Sequence, residues 1–278
     1  MKHYFISLLL LALNVAILPA QSTEKIKGNR MVSIIETEIG AFHTIALDED
    51  FEVDLIYNES PSVEIETDEN LHEIIDFSVK DSVLRFNKLK RIISKKELRI
   101  KISYNASLRN IKVTENAELN GLIPLRLTNT SLKTSGSAKV GLTIETETFN
   151  FESTEKAKVK LNVTADSCNI SMAGSGKLEA LINTPTLDAA LYERADAIIE
   201  GNCDTATIEL DNNAQFQGKN FTLNTCDVIC NIASDAYVEV IKQITLTTTG
   251  TSAVYLYDNP KILIQEMTDT SKLQKKVK

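Results

Sequence analysis

Small residues recur along this chain at a spacing that decides what it can fold into. Ala117, Ala138, Ala157, Gly176, Ala195, Ala214, Ala236 and Ala253 follow one another at intervals of 21, 19, 19, 19, 19, 22 and 17 residues. A sustained period near 19 predicts stacked turns, because one such unit cannot bury its apolar side alone and its neighbours must cover it. Two residues after each small position stand Leu119, Val140, Val159, Leu178, Ala197, Phe216, Val238 and Tyr255, all apolar or aromatic, which places them inside. One residue after it stand Glu118, Lys139, Lys158, Lys177, Asp196 and Gln215, which a strand alternating its faces turns outward. A second inward column, six residues before, holds Ile111, Leu132, Phe151, Ile170, Ala189, Ile208, Cys230 and Thr247. Gly or Ala at each corner fits a turn where a larger side chain would strike the turns above and below.

Residues 104–260 therefore read as a β-solenoid, and the rest of the chain is arranged around it. Ahead of it, residues 31–103 read as strand, with Thr44–Leu47, Phe51–Ile56, Val63–Glu66 and Val83–Phe86 alternating or nearly so. Asp68–Ile75 is the one helical turn expected, with the Asp68 carboxylate placed to cap it. Leu89–Lys96, rich in Lys and Arg, reads as a solvated loop. In the last turn Tyr255 and Tyr257 are assigned inward and Asp258-Asn259-Pro260 reads as a terminal cap. Residues 261–278 form a C-terminal segment whose polar end, from Thr268, is expected to be without fixed structure.

The chain opens Met1-Lys2-His3-Tyr4, runs apolar from Phe5 to Leu18, and reaches small residues at Ala20 and Ser22. Residues 1–20 are read as a secretory signal peptide, cleaved after Ala20 or Ser22. The apolar run falls short of the roughly 20 residues a membrane span needs, so no transmembrane span is expected. Export places the protein in the periplasm, on the outer-membrane surface or outside the cell. With a net charge of −8, wholesale binding to nucleic acid is not expected.

Export would let cysteines pair, and their repeat positions discriminate among the four. Cys168 and Cys230 fall in inward columns and read as small core hydrophobes. Cys203 and Cys226 sit ten or eleven residues before consecutive corners, which makes them the only pair placed to form a disulfide. A Cys-x3-Cys spacing without a nearby histidine does not make a zinc site, and no metal or cofactor is expected.

Catalytic chemistry is equally sparse, and no catalytic, cofactor-binding or metal-ligating residue is assigned. Beyond the signal segment the histidines are His43 and His72, neither at a spacing that implies a triad. Gly174-Ser175-Gly176 has no following helix and reads as a corner, not as a phosphate loop. Asp196, Glu200 and Asp211 with Arg194 are the nearest approach to a polysaccharide-cleaving set, which needs two carboxyls about 5–9.5 Å apart. Lys139, Lys158 and Lys177 form an outward ladder that could meet an anion or, with Glu155 and Glu179 interleaved, simply be solvated. Zero tryptophans and mostly isolated tyrosines argue against a sugar-stacking platform.

Gly40–Leu47 with Phe51–Leu55, the segment Asp81–Phe86, and the corners Gly136-Ser137 and Gly174-Ser175-Gly176 together resemble the autotransporter adhesins that carry a head GIN domain, over nearly all of the chain after its signal segment. That resemblance implies an all-β chain folded as a right-handed parallel β-helix of pectate-lyase-like architecture, with a β-rich N-terminal section continuous with it. The family offers no catalytic residues to carry over. The resulting expectation is an exported, non-catalytic β-solenoid, not an enzyme, that presents a rigid surface to a cell-surface glycan or an envelope protein. The alternatives are a degenerate polysaccharide-active enzyme and a purely structural envelope component.

Overall fold

The computed structural model describes residues 24–278, so the signal-peptide expectation for residues 1–20 lies outside the described residues. The chain is all-β, a parallel β-solenoid of about nine turns. Four strands of 15 residues, Lys139–Ser153, Lys158–Met172, Lys177–Leu191 and Asp196–Leu210, each make most of one turn. They pair in parallel with a strict 19-residue offset: Lys139 opposite Lys158, Lys158 opposite Lys177, Lys177 opposite Asp196. Each turn has a first face after the corner, a bend in mid-strand, and a second face leading to the next corner. Val140, Leu142 and Ile144 point inward from one face and Phe149, Phe151 and Ser153 from the other, all buried. Each fully buried aliphatic or aromatic side chain is worth about 1.5–3 kcal/mol, and stacking repeats that gain at every turn.

The corners turn through a left-handed residue two positions before the small one, a place that Phe51 takes in the first turn. Glu49, Glu115, Gly136, Glu155, Gly174, Glu193, Asn212, Ile232, Gly250 and Asp269 all have φ between 57° and 94°. Hydrogen bonding runs straight through the corners: Ser137 N donates to Glu115 O, Lys156 N to Gly136 O and Arg194 N to Gly174 O at 2.6–2.9 Å. At Gly174 an added Cβ would lie 2.7 Å from the backbone of Glu155, so only glycine fits there. The small residue is small for another reason, which is that it is fully buried against its stacked copies.

That distinction corrects the reading of the last turns. Gln215 pairs with Asp235, and Asp235 with Ala253, so the corner residues are Ser234 and Ser252, and the column continues to Ser271. Serine serves because its hydroxyl finds backbone acceptors: Ser234 Oγ donates to Asn231 O at 2.9 Å, and Ser252 Oγ to Cys230 O at 3.0 Å. Ala236 and Val254 therefore take the inward places given above to Val238 and Tyr255, and Val228 and Leu246 those given to Cys230 and Thr247. Cys230 and Val238 moved by two positions and stay buried. Tyr255 moved by one and faces outward, stacked on Tyr237.

The polar end of the chain is also ordered. Lys261–Met267 pairs in parallel with the preceding turn and Lys272–Lys275 with Ala253–Leu256. Backbone hydrogen bonds extend a ladder whatever the side chains, which polarity alone does not reveal.

The N-terminal section closes the other end by a different plan. Thr44–Leu47 lies between Val83–Lys88 and Asn110–Val113, so the first turn in sequence is second in the stack. Above it Ile75–Lys80 pairs antiparallel with Val83–Lys88, and Ser62–Asp68 antiparallel with both Leu98–Tyr104 and Val32–Glu38. The expected helical turn is a 3-10 helix, Glu69–Ile74, but Asp68 does not cap it with its side chain. The buried carboxylate instead accepts from Arg30 N at 3.1 Å and Lys96 N at 3.2 Å. The basic segment expected as a loop holds a strand, Arg91–Ser94, paired with Lys25–Lys27.

Candidate functional site

Stacking sets outward residues in vertical columns at ~4.8 Å per turn, and the first face carries the chain's most distinctive ones. Its first column reads Glu118, Lys139, Lys158, Lys177, Asp196, the ladder expected from sequence. The acids stand at the ends: Lys139 Nζ is 3.1 Å from Glu118 and Lys177 Nζ 4.0 Å from Asp196. Among the described residues no carboxylate lies within ion-pair distance of Lys158. The next outward column reads Asn120, Gly141, Lys160, Glu179, Ile198, with Lys160 and Glu179 paired at 3.0 Å.

Two open depressions of about 380 and 540 Å³ meet at Gly141, Lys160 and Glu179. One is walled by Lys139, Lys158 and Lys177; the other is bordered by Thr143, Asn162, Leu181 and Ile198. Leu181 and Ile198 are 42% and 39% exposed, which gives the second half an apolar rim. The lysine ladder is legible in the sequence, whereas the part played by Gly141 and Lys160 shows only once the turns are stacked. The available signal was a glycine at an outward strand position where the neighbouring turns carry Asn120 and Lys160.

The other sequence candidates do not assemble. Asp196 accepts from Gln217 Nε2 at 2.7 Å and Glu200 from Asn220 Nδ2 at 3.1 Å, so each carboxylate has its own amide partner. They are four residues apart on one extended strand, ~13 Å, beyond the reach of a glycosidase pair. Asp211 and Arg194 lie in corners, where the Asp211 carboxylate accepts from Asn212 N at 2.7 Å. His72 Nε2 is 3.0 Å from Ser33 Oγ, a contact 39 residues apart that spacing could not reveal. Among the described residues no carboxylate hydrogen-bonds to His72, so the pair lacks the orienting third member of a relay.

The cysteines are four buried free thiols. Cys203 lies opposite Leu223 and Cys226 opposite Ala206, which sets the pair considered for a disulfide three positions out of register. At ~10 Å along the strand they exceed bonding reach. Burial pushes the Cys168 and Cys230 thiols up to about 12 and Cys203 up to about 11, which keeps them protonated and unreactive.

Two further places gather chemistry. A recess of about 620 Å³ beside the corner Glu49-Asp50 is lined by Lys88, Lys90, Arg91 and Lys95. Lys88 lies 4.2 Å over the Phe51 ring and 3.4 Å from Glu49; burial pulls its pKa down, opposed by the Glu49 charge. Its charge is thus satisfied internally. Lower on the first face the tyrosines are not isolated: Tyr237 and Tyr255 stack at 4.3 Å and 12°, and Lys276 Nζ sits 4.9 Å over Tyr255. Lys276 thus caps the face of Tyr255 turned away from Tyr237.

Comparison with known proteins agrees with this architecture. A family described as putative auto-transporter adhesin, head GIN domain, matches residues 41–182 and 162–260. No curated protein matches significantly. The fold is similar to the crystal structure of a putative adhesin from Parabacteroides distasonis, with a TM-score of 0.69 at 17% identity over 90% of this chain and 100% of that one. A putative adhesin from Parabacteroides merdae gives 0.66 at 16% over 91% and 99%. A protein from Parabacteroides distasonis described as a putative lipid binding protein gives 0.63 at 16% over 91% and 100%. With its corners, stacked faces and N-terminal section accounted for, the chain belongs to the family described as putative auto-transporter adhesin, head GIN domain.

Proposed function

We propose that this protein is exported and acts as a non-catalytic adhesion module, holding a rigid lateral face toward a partner in the cell envelope or outside it. The observation that carries the reading is the unbroken 19-residue register from Lys139 to Leu210, which fixes outward side chains in columns without loops that must be ordered on binding. Pre-ordered surfaces bind with less entropic cost than mobile ones. The dispersal of Asp196, Glu200 and Asp211 supports a role without turnover. The opening Met1–Ser22 supports export.

The test is attachment of the purified chain from Gln21 onward to envelope fractions and whole cells, alongside a glycan, ester and peptide substrate screen. Saturable attachment with no cleavage is expected. Reproducible cleavage lost on Asp196→Asn or Glu200→Gln would overturn the reading, as would failure to attach to any fraction. Because one structural neighbour is described as lipid binding, phospholipid vesicles belong in the screen.

A further inference from the structure

We propose that the trough centred on Gly141 binds a segment of anionic polysaccharide, its carboxylate or sulfate groups held by Lys158 and its flanking lysines. The proposal rests on the adhesion reading above and names that reading's ligand class.

The first observation is a glycine that the fold does not require. Gly141 has no left-handed φ, and an added Cβ would meet only the Asn120 side chain, at 3.1 Å. At the left-handed corners Gly136 and Gly174, by contrast, an added Cβ would lie 2.7 Å from the backbone of the neighbouring turn. An outward strand position favours a β-branched residue, and glycine there weakens the strand. What the absence of a side chain provides is the place where the two depressions join.

The second observation is charge. In a chain of net −8, Lys139, Lys158, Lys160 and Lys177 gather around one depression with only Glu118 and Glu179 among its lining residues to oppose them. Neighbouring turns hold Lys139, Lys158 and Lys177 at ~4.8 Å intervals, close enough to repel. Among the described residues, Lys139 and Lys177 are relieved by Glu118 and Asp196, while Lys158 is not. An anionic group over Lys158 would relieve the centre of the row.

The third observation selects a sugar polymer over other polyanions. Across the Lys160–Glu179 pair the trough changes character, to Leu181 and Ile198 beside Thr143 and Asn162. Pyranose rings combine an apolar C–H face with hydroxyls, which suits that rim, and acidic substituents suit the lysine half. No aromatic residue lines either half, so nucleic-acid bases would find nothing to stack on.

The experiment is titration of the full chain with polygalacturonate and with dextran sulfate, using neutral dextran and phosphatidylglycerol vesicles as comparisons, at low and at physiological ionic strength. One or both polyanionic sugars should bind, more weakly with added salt, and neutral dextran should not. Lys158→Gln should weaken binding about tenfold, the loss of one charge-assisted hydrogen bond. Gly141→Val should weaken it at least as much without lowering Tm, and Lys133→Gln, on the second face, should leave it unchanged. Failure of both polyanions to bind would overturn the proposal, as would unchanged binding by Gly141→Val. Vesicle binding equal to that of the sugars and indifferent to Gly141→Val would do so too. If the unmodified chain attaches to envelopes but ignores both polyanions, the ligand class falls and the adhesion reading stands. If it binds polygalacturonate yet attaches to no envelope, the reverse holds.

Discussion

The regular turns from Lys139 to Leu210 and the N-terminal section solve the same problem, covering an apolar face, by opposite means. In the regular turns every residue sits against its own equivalents, so Val140 meets Val159 and Phe151 meets Ile170. Stability there is a sum of near-identical layers, and one poor layer can be carried by its neighbours. In the N-terminal section each contact is unique: antiparallel strands cap both faces, and one buried carboxylate, Asp68, ties residue 30 to residue 96. Redundancy tolerates drift at the corners, where Glu, Asn, Ile and Asp all occupy the left-handed position. Uniqueness does not, since a Cβ at Gly28 would lie 1.8 Å from the Asp68 carboxylate.

The hardest way to break a layer is to put a charge in it. Ile170 is 3% exposed between Phe151 and Ala189, and Ile170→Asp should cost more than ~4 kcal/mol, read as loss of the cooperative melting transition. Next comes the corner. Gly174→Val should cost about 2–3 kcal/mol in denaturant unfolding, because φ is 94° and the Glu155 backbone is in the way. The reverse change at Ile232, a β-branched residue at φ 64°, should gain about 1 kcal/mol. In the N-terminal section Asp68→Ala should cost about 1–3 kcal/mol locally, seen as proteolysis and hydrogen exchange near residues 24–31 while the 139–210 turns keep their protection.

The smallest effect is one of pH. Burial raises the Cys168 thiol from 9.0 to about 12, so the folded chain holds a proton that the unfolded chain releases. Its contribution is complete below pH 9 and is lost as pH rises toward 12. Cys168→Val should therefore flatten the alkaline fall in stability, by about 1 kcal/mol at pH 10, and leave neutral pH unaffected by ionisation.

Much of the repeat region was legible because period-two alternation and a fixed offset both leave marks on composition. The columns through Leu119, Val140, Val159 and Leu178 are where the alternation put them. The last turns were misplaced because serine can occupy a buried corner when backbone carbonyls accept its hydroxyl, a condition visible only in three dimensions. The strands Arg91–Ser94 and Lys272–Lys275 were missed because edge pairing draws on backbone groups that every sequence has. The sandwiched position of Thr44–Leu47 is a matter of chain path, to which local alternation is blind. At the candidate site the lysine ladder was legible and the trough was not, since a missing side chain matters only once its neighbours are known.

The stacking register is tested most directly by cross-linking. The four native thiols are buried, so cysteines introduced on the first face report alone. Lys158→Cys with Lys177→Cys places partners on adjacent turns, ~4.8 Å apart, within disulfide reach. Lys158→Cys with Asp196→Cys places them two turns apart, ~9.6 Å, beyond it. Mild oxidation should bridge the first pair and leave the second free; bridging of the second, or of neither, would contradict the 19-residue stack.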